Sequence, residues 1–536
     1  MTPDWDAPNV LNHPAPSDGS WSTTNLAEAL PGVASPLGWS IWSRAGDLAA
    51  RAPFRAMGAI PEADLAYPAR SEDRVVNLFY GRIAIRVDFF CRMGDLIPGA
   101  TGEAVARDAF GFVPPDFNSD PSKRRWPNFF VAMPRTLMHA PRRLRSLLAE
   151  NMRWYGPQIE RVPELDLSGA RAVYREAERR FEQTAIATSV CIACVVQPSF
   201  TGLQKIANLA GVDAAALMRS QGSHEEQGMV ANLWRLSRGE LTIEEFLAHH
   251  GYHGPDEGEI SNRSWREDPA PLTSIIAGYA GMRDDQSPAA RAGEGAAERE
   301  RAEAALFAAL PAGRRPGAKL ALRMARANIP LRGVGKNAYL YPLDAGRAAA
   351  RRAGVLLAAD GVLEDPEDVC FLTGTELLGA VPADVRDVVA ARRELREHYR
   401  TLELPVHWTG PPMATPVGLP GGSGADRFDR IDALGVSPGV VEGPVRVVES
   451  PADAEMEPGD ILVAHTTDSS WASVMFLAGA LVVDIGGQIS HAAVIARELG
   501  VPCVMNTGVG TRTLRTGDRV RVDGSAGTVE LLSPTP

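Results

Sequence analysis

One histidine in this chain stands where phosphorus chemistry is favoured. The stretch Gly486-Gly487-Gln488-Ile489-Ser490-His491-Ala492-Ala493-Val494-Ile495-Ala496-Arg497-Glu498-Leu499-Gly500 places His491 just after a glycine pair and a serine. Adjacent glycines let a backbone turn sharply and approach a ligand without Cβ clashes. Ser490 is a good N-cap, so His491 falls in the first turn of a helix. Ala492, Ile495, Ala496 and Leu499 repeat at i, i+3, i+4, i+7 and form its buried stripe. Gly500 is the expected stop, and Pro502 bars continuation. Unpaired N–H groups and the helix dipole favour an anion at that end, which suits a phosphoryl group on the ring. A neutral imidazole nitrogen is the nucleophile such a step needs. Gly487, Ser490 and Arg497 are candidate phosphate-side residues. Thr466, in a Thr466-Thr467 pair after a strand end with Ser469 close by, is a further candidate or else ordinary turn chemistry.

A second cluster offers acid–base groups. Phe246 to Ile260 (FLAHHGYHGPDEGEI) crowds three histidines and three carboxylates into a glycine loop after a helix expected from Leu241 to His249. His253 or Glu257 would accept the proton of a substrate hydroxyl near neutrality; the bland alternative is a structural helix terminus. No HExxH or similar pairing supports a metal site. Val75 to Phe90 (VVNLFYGRIAIRVDFF) carries Arg82 and Arg86, which share one face at helical spacing. They would hold a phosphate or an anionic substrate, or else form a solvated basic edge. Arg263 is another available cation. Cys191 and Cys194 form a CxxC inside an apolar helical run, which reads as packing and not as a metal or redox pair.

Composition narrows the class. The chain has 536 residues, 45% hydrophobic and 23% charged, with net charge −11 and pI about 5.5. That supports two to four domains with real cores and argues against a nucleic-acid partner. No run of 18 apolar residues and no basic-then-apolar start is present, so neither a membrane span nor a secretory signal is expected. Five cysteines in so long a chain suit a reducing compartment, and a cytoplasmic location is expected.

The elements that must position these residues follow from periodicity. Residues 1–20 read as a loose polar tail, and Ser22 to Gly32 as a capped short helix. Helical spacing dominates from about 134 to 250 and again over Arg323–Arg332 and Tyr341–Ala358; 283–300 is a flexible excursion or a surface helix. Gly361 to Thr373 reads as a turn and short strand. Pro405 to Asp426 is the densest Pro/Gly cluster and is expected to be a hinge. Beyond it, Val445–Val448, Ile461–Ala464 and Leu481–Asp484 read as strands, and Arg519–Asp523 with Thr528–Leu531 as a hairpin. The expected architecture is multidomain: a tail (1–20), a large mostly α-helical acceptor-substrate domain (21–404), a linker (405–430) and a small α/β swivelling domain (431–536).

The His491 stretch resembles the phosphohistidine (swivelling) domain of phosphoenolpyruvate-utilising enzymes. Ile489 stands where pyruvate-linked members usually have threonine, as the rifampin-phosphotransferase branch tolerates. The loop at 250–267 and the string Gly361-Val362-Leu363-Glu364-Asp365-Pro366-Glu367-Asp368-Val369 are also similar to that branch, with His253 where arginine is frequent. The resemblance implies that His491 is phosphorylated and carries the group between two sites, as in phenylphosphate synthase-like proteins. Only 45 residues follow His491, far short of the roughly 250 of a phosphoenolpyruvate-binding barrel. No Walker-type loop or ATP-grasp domain is recognisable. The resemblance therefore implies an ATP-grasp partner subunit holding ATP and Mg²⁺, with no cofactor on this chain. The acceptor is expected to be a small, apolar hydroxyl compound such as a phenol or polyketide. Three competing readings are a phosphocarrier or regulatory component serving another protein, an inactive scaffold that only binds the ATP-grasp partner, and a pyruvate-dikinase-like subunit with a separate barrel chain.

Overall fold

The structure, a computed structural model, describes residues 5–24, 26–221, 224–417, 429–451, 454–467, 469–487 and 490–535, and at 224–226, 469 and 491 the backbone alone. The chain divides into two compact units: Met1–Val195, Gly258–Asn262 and Val334–Leu419 form unit one, and Val196–Glu257, Arg263–Gly333 and Pro420–Pro536 form unit two. The helical body expected over 21–404 is thus shared between them. A periodic pattern reports that each helix has a buried face, not which neighbour covers it.

Unit one is mostly helical. Pro36–Ala56, capped by Ser35, packs along Leu167–Cys191. Glu259 anchors that cap: it accepts from Ser35 N at 3.1 Å and from Ser35 Oγ at 2.6 Å. The stretch read as helical over Val75–Phe90 is instead a hairpin of Val76–Phe79 and Arg82–Arg86, followed by the helix Val87–Gly94. Tyr80 and Gly81, at φ 46° and 72°, make its two-residue turn. An i, i+4 pair shares a face in a strand as in a helix, so the arginine spacing did not discriminate. The hairpin joins Ser20–Ser22 and His407–Thr409 in a four-stranded sheet.

Three other expectations are corrected in unit one. The described part of the supposed loose tail, residues 5–20, is packed, with Leu11 buried, Trp5 stacked 4.6 Å from His398, and Asn9 Nδ2 donating to Tyr399 Oη at 2.8 Å. The described residues between Thr23 and Gly32 form turns and no helix, and Pro366–Phe371 is a 3₁₀ helix capped by Asp365, not a strand. The first part of the expected hinge is strand: His407–Thr409 pairs with Ser20–Ser22, and Thr415–Pro416 with Leu402–Glu403. Residues 418–428 of that hinge lie outside the described residues. Cys191 and Cys194 are buried and free, and burial pushes their thiols up to about 11 and about 12. The run Leu167–Ala210 is long and apolar enough to cross a membrane by composition, a test that core helices also pass; Val173, Phe181, Leu203 and Ala207 within it are buried.

Unit two joins a helical segment to the α/β segment. Among the described residues, the sheet has eight strands: β1 (Arg430–Asp432), β2 (Leu434–Ser437), β3 (Val440–Val447), β4 (Ile461–Ala464), β5 (Ala480–Val483), β6 (Cys503–Met505), β7 (Arg519–Asp523) and β8 (Thr528–Ser533). Their order is β1-β8-β7-β3-β4-β5-β6-β2, with β3, β4, β5 and β6 parallel and the flanks antiparallel. The expected hairpin is β7–β8. One core lies on each face. Ile461, Val463, Val482, Val504 and Val520 fill one; Trp471, Phe476, Ala492 and Ile495 fill the other, together with Leu233, Phe246, Ile275 and Tyr279 of the helical segment. Tyr279 Oη donates to Ser473 O at 3.1 Å, and Arg291 to Phe476 O at 2.9 Å. Residues 283–300 belong to the helix Pro288–Ala309 and its approach. The chain is therefore a large, mostly helical region followed by a small α/β domain, as expected.

Candidate functional site

The parallel strands β4 and β5 set the site. Ala464 pairs with Val483, so both strands end at one edge, and the next residues are His465 and Asp484. Ligands of open α/β sheets bind outside such carboxyl ends. Two residues past Asp484 the backbone turns at Gly486, whose φ of 153° is a glycine conformation. A Cβ there would overlap the Met505 methyl, whereas one on Gly487 would meet no atom within 4 Å. Gly486 is thus required by the fold, while Gly487 is unconstrained by any described residue. The helix His491–Leu499 follows, with Ser490 Oγ accepting from Ala493 N at 3.3 Å and Gly500 closing it at φ 70°. Ala492, Ile495 and Ala496 are buried, as the stripe required, and Leu499 is half-buried. His491 is the first helical residue; its side chain, like Gln488 and Ile489, lies outside the described residues.

Asp484 organises this edge. Its carboxylate accepts from Thr507 Oγ1 at 2.5 Å, Gly510 N at 2.6 Å, Thr511 N at 3.2 Å and Thr511 Oγ1, and lies 3.5 Å from His465 Nδ1. Burial alone would raise its pKa, but the hydrogen bonds from His465, Thr507 and Thr511 outweigh it and hold the carboxyl below its ordinary value. Thr466 Oγ1, just past the end of β4, is buried and has no hydrogen-bond partner among the described residues. Sequence reasoning passed over His465 and Asp484. The available signal was a polar residue directly after each of two apolar strands, which matters only once the strands are known to be parallel neighbours.

The other candidates have different surroundings. Arg82 donates to Tyr80 O at 3.1 Å, to Tyr399 O at 3.0 Å and to Leu402 O; burial lowers its pKa to about 10 despite Glu403. Arg86 is paired with Asp88 at 3.1 Å. Both are spent on unit one's own chain and not on an anion site. Arg497 donates to Val436 O at 2.7 Å and lies over the Phe200 ring at 5.5 Å, a clamp at the last turn of the helix and away from its anion-favouring end. Arg263 is exposed.

His253 and Glu257 do come together. The preceding helix, Ile243–His250, opens with a capping box of Thr242 and Glu245. His253 Nδ1 then meets Glu257 Oε2 at 2.7 Å, but the residues are only 4% and 1% exposed. Tyr252 and Trp265 stand 4.3 and 5.9 Å from the His253 ring. Both residues are buried, where the sequence reading expected them to face a substrate hydroxyl. His250 beside it takes a hydrogen bond from Asn232 at 3.0 Å, and burial, with His253 and His249 adding to it, lowers its pKa to about 3.

Residues 456–527 match the family described as PEP-utilising enzyme, mobile domain, and residues 195–333 match the rifampicin phosphotransferase fourth domain. A rifampicin phosphotransferase of Streptomyces sp is 34% identical over 303 residues, covering 54% of this chain and 34% of that protein. An uncharacterized protein of Mycobacterium tuberculosis is 31% identical over 285 residues, 53% of this chain and 30% of its own length. An uncharacterized phosphotransferase of Bacillus subtilis, YvkC, is 33% identical over 206 residues, covering 36% and 24%. The chain thus spans about a third or less of these curated relatives. Unit two joins a segment similar to the rifampicin phosphotransferase fourth domain to one similar to the mobile domain of phosphoenolpyruvate-utilising enzymes.

Proposed function

We propose that this chain is a phosphotransferase component in which His491 takes up a phosphoryl group and passes it to the hydroxyl of a small organic acceptor. The observation that carries the reading is the position of His491, first in a serine-capped helix, after a glycine turn, at the carboxyl edge of the parallel strands. Free N–H groups of that first turn favour the anion the ring would hold. The two domain matches and the relatives named as phosphotransferases support it.

In the first step an imidazole nitrogen attacks phosphorus and the bond to the nucleotide oxygen breaks. In the second, an acceptor oxygen attacks, the P–N bond breaks, and the electron pair returns to the ring. A loose transition state needs positioning and positive potential, which the helix N-terminus would supply. The donor in this reading is ATP with Mg²⁺ on an ATP-grasp partner. The acceptor is a phenolic or polyketide-like compound, in keeping with relatives named for rifampicin. A cytoplasmic setting fits the five free, buried cysteines.

Phosphoramidate, a chemical phosphoryl donor to imidazole, tests the carrier directly. An acid-labile adduct mapped to His491 by mass spectrometry, and absent from His491→Ala, is the expected result. Equal labelling of the variant refutes the assignment.

A further inference from the structure

We propose that His465, held by Asp484, is the base that takes the acceptor's proton, so that the base rides on the same domain as the phosphoryl group. This rests on the carrier role of His491. His465 follows β4 and Asp484 follows β5, in parallel register, and Ile485 N donates to His465 O at 2.9 Å. The His465 backbone therefore stands one strand spacing, about 4.8 Å, from the segment that continues through Gly486 towards the His491 helix. Its side chain is 64% exposed, while Asp484 beneath it is 2% exposed. The competing His253–Glu257 pair is 5% and 1% exposed at its side chains and offers nothing to a bound alcohol.

The dyad has the polarity a base requires. Nδ1 faces the Asp484 carboxylate at 3.5 Å, and the tautomer with its hydrogen on that nitrogen leaves Nε2 its lone pair. Asp484 is a positioning residue. Its bonds from Thr507, Gly510 and Thr511 fix the carboxylate, which then stabilises the imidazolium formed on transfer. The step balances without a further reactant. The acceptor O–H proton goes to His465 Nε2, the acceptor oxygen bonds to phosphorus, the P–N bond to His491 breaks, and its electrons return to that ring. The exposed imidazolium then loses the proton to solvent. A consequence is that the acceptor's own binding region need supply only shape and contacts.

The full-length protein charged with phosphoramidate tests this. Discharge is followed by phosphorus NMR in buffer containing phenol, counting loss to water and to phenol together. His465→Gln is expected to charge as wild type does and to discharge about 100-fold more slowly, the low end of general-base contributions. A slowing of less than tenfold overturns the proposal while leaving the carrier reading intact. Failure of wild type to hold any phosphoryl group on His491 overturns both.

Discussion

The glycine pair before His491 separates folding from chemistry, and substituting each member by alanine tests that separation. At Gly486 the backbone sits at φ 153°, a conformation that costs a side-chain-bearing residue about 1–3 kcal/mol. The new methyl would also displace the Met505 side chain from a packed core, for about another 1–3 kcal/mol. Gly486→Ala should therefore lose on the order of 4 kcal/mol. For a unit of roughly 250 residues, at about 2–4 °C per kcal/mol, that lowers the unit-two transition by on the order of 10 °C. Gly487→Ala meets no atom within 4 Å and has no left-handed φ to strain, so its Tm should move by less than about 3 °C. Its methyl instead adds bulk to the glycine turn that precedes His491, where the proposed function has a phosphoryl donor approach. Thermal unfolding by circular dichroism, run beside phosphoramidate charging, reads both effects. Gly486→Ala should be unstable, and Gly487→Ala stable but slow to charge. Equal stability losses, or a Gly487 variant that charges at the wild-type rate, would refute the reasoning.

Ser490→Ala removes the N-cap bond to Ala493 N and should cost about 1 kcal/mol, seen as faster hydrogen exchange across the first turn of the His491 helix. Asp484→Ala leaves the buried Gly510 amide and the Thr507 and Thr511 hydroxyls without an acceptor, for about 3 kcal/mol or more at about 1–3 kcal/mol per orphaned donor. Because the folded carboxyl titrates below its ordinary 3.8, its stabilisation is complete above that pH and disappears as pH falls through the folded value. Acid titration of the stability of wild type and Asp484→Asn checks this. His250 titrates near 3 in the folded chain against 6.5 unfolded, so between those values the unfolded state binds the extra proton. Stability should fall as pH drops from 6.5, by up to about 1.4 kcal/mol per unit, and His250→Leu should flatten that slope in denaturant titrations.

Local chemistry decided a great deal here. The cap at Ser490, the stop at Gly500, the buried stripe between them, the apolar strands and the hairpin near the C-terminus all depend on neighbours within a few residues, so each was legible in the chain. Legibility failed where two periodicities coincide or where the partner is distant. Arg82 and Arg86 share a face in helix and strand alike, and only the Tyr80-Gly81 turn distinguished them. Trp5, Leu11 and His407–Thr409 look like tail and linker because what orders them lies hundreds of residues away.

The chain by itself determined that one histidine would open a capped helix beyond a glycine turn, since those preferences are properties of single residues and their near neighbours. Tertiary structure alone decided the rest of the site. It buried His253 and Glu257 together, spent Arg82, Arg86 and Arg497 on backbone carbonyls and a carboxylate, and paired His465 with Asp484 across two strands. Exposure and charge pairing depend on which surfaces meet, and no residue spacing along the chain encodes that.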